Sequence, residues 1–161
     1  MFEELRIYDI ILIIGNYGAG KSRLANEYFK ERKRIDRHVL RYTIKEMTGH
    51  GEKWRLEDWN EDIEGLIKHV EYDLICHFLD RNEKIFIDNT SLTKKGRARY
   101  VGYAKKYNKT IACVFLNRES SVLLQQNKEK QYPVPDHVIV QLFTRTEVPS
   151  DAEGFDKIVY A

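Results

Sequence analysis

The sequence has few of the features that mark secreted, zinc-binding or membrane proteins. Its two cysteines, Cys76 and Cys113, lie far apart in apolar segments, and we expect them to be reduced core residues. The five histidines show no metal-ligand spacing, and there is no Cys-x-x-Cys pair or Gly-x-Ser-x-Gly elbow. The longest apolar run is far too short to cross a bilayer, and the acidic start does not resemble a secretory signal. We therefore expect a soluble protein of the cytoplasm with no membrane partner.

Proline is also scarce, with three residues in a chain of 161, and no Pro/Gly/Ser-rich linker or repeat interrupts the chain. A chain of this length can bury a full core, so the sequence predicts a single domain over residues 1–161. Lys plus Arg number 27 against 25 Asp plus Glu, so net charge alone does not indicate a nucleic-acid partner. No pattern in the sequence specifies an oligomeric state.

Short β-rich runs alternate with longer helical patterns, which predicts an α/β fold with a parallel sheet of about five strands covered by helices on both faces. Strands are predicted at residues 9–14, 37–42, 84–87, 110–116 and 157–160, and helices at 23–33, 93–107, 119–129 and 136–146. The longest helix is expected after the capping sequence 60–62, with a stripe formed by Ile63, Leu66, Ile67, Val70, Leu74 and Phe78. Residues 48–60 are interpreted as a connection pinned by Trp54 and Trp59, and the alternative is a loop over the active site.

Residues 15–22, Gly-Asn-Tyr-Gly-Ala-Gly-Lys-Ser, match the phosphate-loop pattern G-x-x-x-x-G-K-[ST] between a predicted strand and a predicted helix. Such a loop directs its backbone N–H groups at phosphate oxygens. Lys21 is expected to reach the β and γ phosphates, and the Ser22 hydroxyl is expected to bind Mg²⁺. The predicted nucleotide-binding residues are Gly15, Asn16, Tyr17, Gly18, Ala19, Gly20, Lys21 and Ser22, with ATP and Mg²⁺ as cofactors.

Other segments favour a kinase over the remaining phosphate-loop classes. The strand at 84–87 is followed by Asp88-Asn89, without the water-activating glutamate of many hydrolytic ATPases. The sequence 127–130, Asn-Lys-Glu-Lys, does not complete the Asn-Lys-x-Asp motif of guanine-specific GTPases. A kinase needs cations near the transferred phosphoryl group, and Lys128 and Lys130 are candidates on a lid segment.

The order of these motifs resembles the kinase domain of phage-type polynucleotide 5′-hydroxyl kinases. The resemblance is based on the phosphate loop, on Ile87-Asp88-Asn89-Thr90 followed by Arg97, on the lid, on residues 134–139 and on residues 153–158. It implies transfer of the γ-phosphate of ATP to the 5′-OH of DNA or RNA, on a sheet of the nucleoside-kinase type. It also implies that Asp88 is an active-site carboxylate.

Two segments depart from the family pattern. The family has an Arg-Asp-Asp-apolar-Arg segment after the second strand, and the best match is residues 41–45, where Tyr42 and Thr43 replace the aspartates. A second alignment, over residues 35–41, puts His38 at the position of the general base, but it requires a very short connection between helix and strand. The arginines of the family lid correspond here to Gln126 and Lys130.

Basic residues near the ends of the predicted strands form a candidate acceptor site. They fall into two groups, one of Arg37, Arg41 and Lys45 and one of Lys94, Lys95, Arg97 and Arg99. We expect Arg41, Lys45 and Arg97 to bind the acceptor, with Trp54 or Trp59 stacking on a base. The replaced aspartates leave three alternatives open: another acid such as Asp88 or Glu46 acts as base, the acceptor is a small metabolite or nucleoside, or the domain binds nucleotide with little catalysis.

Overall fold

A computed structural model describes residues 1–130 and 133–161. Its five strands are β1 (Ile10–Ile14), β2 (Lys33–Asp36), β3 (Ile85–Asp88), β4 (Ile111–Phe115) and β5 (Lys157–Tyr160). Its helices are α1 (Lys21–Tyr28), α2 (Arg37–Thr48), α3 (Glu61–Asp80), α4 (Lys94–Lys106), α5 (Ser120–Lys128) and α6 (Asp136–Thr144). Within these residues, no helix is long and apolar enough to cross a membrane.

The strands form one parallel sheet, as the sequence predicts, and their order in it is β2-β3-β1-β4-β5. All five residues of β1 are fully buried. Alternate residues of this central strand contribute to separate apolar clusters. Leu12 packs with residues of α3 and α4 on one face, and Ile13 packs with residues of α1 and α6 on the other. Helices therefore cover both faces, and the carboxyl ends of the three strands β2, β3 and β1 meet at one edge.

The predicted second strand is wrong. Residues 37–42 belong to α2, and the strand consists instead of residues 33–36. The cause is Asp36, whose Oδ1 accepts hydrogen bonds from the backbone N–H groups of His38 (2.8 Å) and Val39 (3.2 Å) and so begins the helix. The alignment over residues 41–45 is therefore also wrong, because Tyr42 and Thr43 lie inside a helix. The second alignment, over residues 35–41, requires a very short connection between helix and strand. The structure has such a connection, because α1 ends at Tyr28 and β2 begins at Lys33.

The long helix is confirmed, with Asn60 as its cap, but its buried face differs from the predicted stripe. The fully or nearly fully buried residues of α3 are Glu64, Ile67, Glu71, Ile75 and Leu79, whereas Leu66 is exposed. Two glutamates thus lie on the face that packs against the sheet. Their partners belong to the site described below.

Candidate active site

The phosphate loop connects β1 to α1, and two of its glycines have positive φ angles. Gly18 has φ = 81° and Gly20 has φ = 91°, a region that side chains disfavour. Gly18 also lies against α5, because a Cβ atom built there would be 2.5 Å from the Leu123 carbonyl oxygen. The loop therefore has the backbone shape that its sequence predicts, and it packs directly on the helix that leads to the lid.

Lys21 folds back onto the loop. Its Nζ donates hydrogen bonds to the carbonyl oxygens of Gly15 (3.1 Å) and Asn16 (3.0 Å). Burial disfavours the charged ammonium and lowers the pKa of Lys21 to about 8, although nearby Asp88 acts in the opposite direction. The lysine is thus a desolvated cation with two weak neutral acceptors, which phosphate oxygens can replace.

Ser22, Asp36 and Asp88 converge on Arg34, which projects from the edge strand β2. Arg34 Nη2 lies 2.9 Å from Ser22 Oγ, 3.0 Å from Asp36 Oδ2 and 2.6 Å from Asp88 Oδ2. Asp88 is only 4% exposed, and this burial raises its pKa while Lys21 and Arg34 lower it. A serine hydroxyl and carboxylate oxygens are hard donors of the type that Mg²⁺ prefers, so Ser22 and Asp88 fit the predicted metal site.

An open cleft of about 380 Å³ extends from the loop across the ends of β2 and β3. One end is lined by Tyr17, Lys21, Ser22, Asp36 and Asp88, and the far wall by the start of α4 with Arg99 and by Arg145 after α6. Arg37, His38 and Arg41 line it from α2. The cleft therefore joins the phosphate loop to carboxylates and then to a basic wall, the four arginines Arg37, Arg41, Arg99 and Arg145.

Three arginines of the basic wall lie against the buried glutamates of α3, and the weakest of these contacts is that of Arg99 Nη2, 4.0 Å from Glu71 Oε2. Arg37 donates through Nε (3.0 Å) and Nη2 (2.6 Å) to Glu71 Oε2, and Arg41 pairs with both carboxylate oxygens of Glu64. Glu71 Oε1 also accepts hydrogen bonds from Asn89 Nδ2 (2.5 Å) and the Tyr100 hydroxyl (2.8 Å). Sequence reasoning missed both glutamates, and the available signal was their spacing of seven residues on the face shared with Ile67 and Ile75.

The lid lysine reaches the same cleft. Lys130 lines the cleft, its Nζ lies 5.8 Å from the centre of the Tyr17 ring, and Lys21 Nζ lies 5.7 Å from the same ring. Desolvation lowers the pKa of Lys130, against the opposite effect of Asp88 and Asp36. Asn127, at the end of α5, holds Val134 through hydrogen bonds to its carbonyl (2.7 Å) and from its N–H (3.1 Å). Lys128 and Gln126 are exposed and do not line the cleft.

Two of the predicted acceptor residues do not reach this cleft. Arg97 is fully buried, where it binds both carboxylate oxygens of Glu153 at 2.7 Å and three backbone carbonyls, so its role is structural. Lys45 pairs with Glu52 and Asp58 beyond the lining of the cleft. Of the three predicted residues, Arg41 alone lines it.

The two tryptophans lie outside the cleft lining as well. Trp54 is buried against α2, with its ring centre 5.8 Å from that of His38 and 5.7 Å from that of Tyr42. It therefore pins the connection between α2 and α3, as one of the two interpretations predicts. Trp59 is 53% exposed and does not pin the connection.

Comparisons with known proteins agree with this geometry. Residues 10–149 match the AAA domain family AAA_33. The L-seryl-tRNA(Sec) kinase of Methanococcus maripaludis is 22% identical over 149 residues, which cover 91% of this chain and 56% of that protein. The chain thus spans little more than half the length of this curated relative.

Solved structures support the same fold. A gluconokinase from Sinorhizobium meliloti 1021 superimposes with a TM-score of 0.59 at 18% identity, covering 96% of this chain and 82% of that chain. A chain of the Pnkp1/Rnl/Hen1 RNA repair complex superimposes with a TM-score of 0.68 at 15% identity, covering 84% of this chain and 43% of that chain. Because the family match extends from β1 through the cleft to beyond α6, and the phosphate-loop fold is similar to that of the kinases named above, the protein belongs to the AAA domain family AAA_33.

Proposed function

We propose that the protein is an ATP-dependent kinase that transfers the γ-phosphate to a 5′-hydroxyl of DNA or RNA. The observation that carries the proposal is the continuous cleft from Lys21 and Ser22, past Asp36 and Asp88, to the basic wall. A triphosphate at the loop and a phosphate-bearing acceptor at the wall meet beside the two carboxylates. The cleft therefore holds together the groups that a phosphoryl transfer requires.

The nucleotide side uses the loop N–H groups, Lys21 and Ser22. Triphosphate oxygens replace the two carbonyls as partners of Lys21, and the charged ammonium then gains a strong acceptor in place of weak ones. Ser22 and Asp88 would hold Mg²⁺, which neutralises charge on the transferred phosphoryl group. Lys130 approaches the same region from the lid and supplies a second side-chain cation.

We assign the general base to Asp36. Its Oδ1 is committed to the start of α2, but Oδ2 faces the cleft and contacts only the Arg34 side chain among the described residues. In the reaction the acceptor oxygen attacks the γ-phosphorus and gives its proton to Asp36 Oδ2, while the bond to the β–γ bridging oxygen breaks and ADP leaves. The carboxylate that the alignment over residues 41–45 lacks is thus supplied by the end of β2.

The basic wall is the proposed acceptor site. Arg99 of α4 lies 4.0 Å from Glu71 through its Nη2, and Arg145 pairs with no carboxylate among the described residues. Planar guanidinium groups bind phosphate oxygens in pairs, so a nucleic-acid end is a chemically matched acceptor. Two relatives agree with this choice, since one is an L-seryl-tRNA(Sec) kinase and another is a chain of an RNA repair complex.

A second candidate function is a small-metabolite or nucleoside kinase. One observation favours it: Arg37 and Arg41 are each neutralised by a buried glutamate, which leaves fewer free cations for a polyanionic acceptor. The two functions differ in what the far wall must recognise. A polynucleotide kinase needs Arg99 and Arg145 as phosphate ligands, whereas a small neutral acceptor does not.

The test is a transfer assay with γ-labelled ATP and Mg²⁺. We expect label on 5′-OH oligonucleotides of DNA or RNA, and loss of transfer when Lys21 is replaced by alanine. Label on nucleosides or sugar acids alone would support the second candidate and refute the first. Nucleotide binding in calorimetry without transfer to any acceptor would refute both and leave a nucleotide-binding module.

The assignment of Asp36 as the general base can be tested separately with a variant of that residue. Asp36→Asn retains an oxygen that caps α2 but removes the proton acceptor, so we expect kcat to fall by about 10²- to 10⁴-fold with little change in ATP affinity. Asp73→Asn, at an exposed residue paired with His69, is the matched control and should keep full activity. Asp36→Asn with near-normal kcat would exclude Asp36 as the base.

A further inference from the structure

The guanidinium of Arg34 lies among a serine hydroxyl and two carboxylates at the end of the phosphate loop. A single nitrogen, Nη2, lies within 3.0 Å of Ser22 Oγ, Asp36 Oδ2 and Asp88 Oδ2. This nitrogen carries two hydrogens, so it cannot give a well-directed hydrogen bond to each of the three acceptors at once. A metal ion such as Mg²⁺ is not limited by the number of its hydrogens and can bind all three oxygens at once. Hydroxyl and carboxylate oxygens are its usual ligands. The arrangement is therefore one that favours positive charge rather than a directed donor.

The position of Arg34 in the sheet allows its side chain to move away from these three oxygens. It lies on β2, at the edge of the sheet, and about a third of its side chain is exposed. Asp88, in contrast, is buried and belongs to β3. The guanidinium can therefore move toward solvent without exposing the core. The two carboxylates stay in place, because Asp88 belongs to β3 and Asp36 caps α2.

We propose that Arg34 is a displaceable internal cation that occupies the magnesium position of the nucleotide-free protein. Mg²⁺ alone must compete with a tethered guanidinium and binds weakly. Mg²⁺ that arrives with a triphosphate brings additional phosphate ligands and displaces Arg34. Ser22 and Asp88 would then hold the metal, and loss of the Arg34 contact frees Asp36 Oδ2, so the proposed base becomes available only when the nucleotide and the metal are both present. This inference rests on the nucleotide side of the proposed function and not on the identity of the acceptor.

The test is the binding of Mg²⁺, or of Mn²⁺ as its paramagnetic substitute, to the protein without nucleotide or acceptor. If Arg34 occupies the site about nine-tenths of the time, Arg34→Gln should tighten the cation affinity roughly tenfold. Arg23→Gln, at an arginine of α1 that is 77% exposed, is the matched control and should bind as the wild type does. A second substitution, Asp88→Asn, should abolish the gain of Arg34→Gln. Equal cation affinity in wild type and Arg34→Gln would overturn the proposal.

A second measurement does not depend on the folding of a variant. In wild-type protein labelled with ¹⁵N-arginine, the side-chain signal of Arg34 should shift when Mg²⁺ and ADP are added together, and much less with either alone. An unchanged Arg34 signal in the presence of both would also overturn the proposal. Because neither measurement involves phosphoryl transfer, failure of the kinase assignment and failure of this inference are distinguishable.

Discussion

Because Lys21 is desolvated in the folded protein, we expect the free energy of unfolding to increase as pH rises from neutral to alkaline values. A lysine pKa lowered from 10.5 to about 8 corresponds to about 3 kcal/mol of unfavourable free energy in the charged, folded state. Above pH 8 the folded protein releases this proton, while the unfolded chain keeps it until about pH 10.5. The unfolded state then binds more protons, so stability increases with pH. Between about pH 7 and pH 9.5 the gain from Lys21 is about 2 kcal/mol.

The assay is urea unfolding at both pH values, for wild type and Lys21→Met, followed by tryptophan fluorescence. Groups remote from Lys21 titrate alike in both proteins, so the change in the difference between them reports Lys21 together with its charged neighbours such as Asp88. We expect that difference to shift by about 2 kcal/mol in favour of the wild type at the higher pH. Lys128→Met, at an exposed lysine, is the control and should show no shift. A difference between wild type and Lys21→Met that stays constant with pH would refute the desolvation argument.

Two further predictions concern buried groups beside the cleft. Arg97→Met leaves the Glu153 carboxylate without its cation, so we expect a loss of about 3–5 kcal/mol in unfolding free energy, and partial recovery when Glu153→Leu is added. A loss below about 1 kcal/mol in denaturant unfolding would contradict this structural role. Burial lowers the pKa of His38, although Asp36 opposes this effect, so the unfolded chain takes up the proton first as pH falls. The wild type should therefore lose thermal stability below about pH 6.5 relative to His38→Gln, and parallel curves would show that His38 titrates normally.

The sequence was sufficient for the nucleotide half of the site because that half is local. A run of five apolar residues, three glycines and Lys21-Ser22 are contiguous, and they fold as a strand, a loop and a helix whose geometry depends little on the rest of the chain. The position of Asp88 was also predictable, since it stands at the carboxyl end of a buried strand next to β1.

The acceptor half was less predictable because it depends on pairs distant in sequence. His38-Val39-Leu40 has apolar and aromatic content typical of a strand, yet these residues form the first turn of a helix capped by Asp36, an outcome that propensity cannot decide. Arg97 and Arg41 look alike as surface arginines, yet one meets Glu153 across 56 residues and is fully buried, and the other lines the cleft. Which arginine is structural is set by these tertiary partners.

The carboxylate of Glu71 has a consequence for how this site can diversify. One oxygen holds Arg37 of the acceptor wall, and the other holds Asn89, the neighbour of Asp88. A substitution at Glu71 that alters acceptor preference must therefore also disturb the phosphoryl-transfer side, and its effects should be strongly non-additive with changes at Asn89. Arg145 carries no such double attachment among the described residues. New acceptor specificities are thus expected to arise by substitution at Arg145, while Glu71 and its partners Arg37, Arg99 and Asn89 change together.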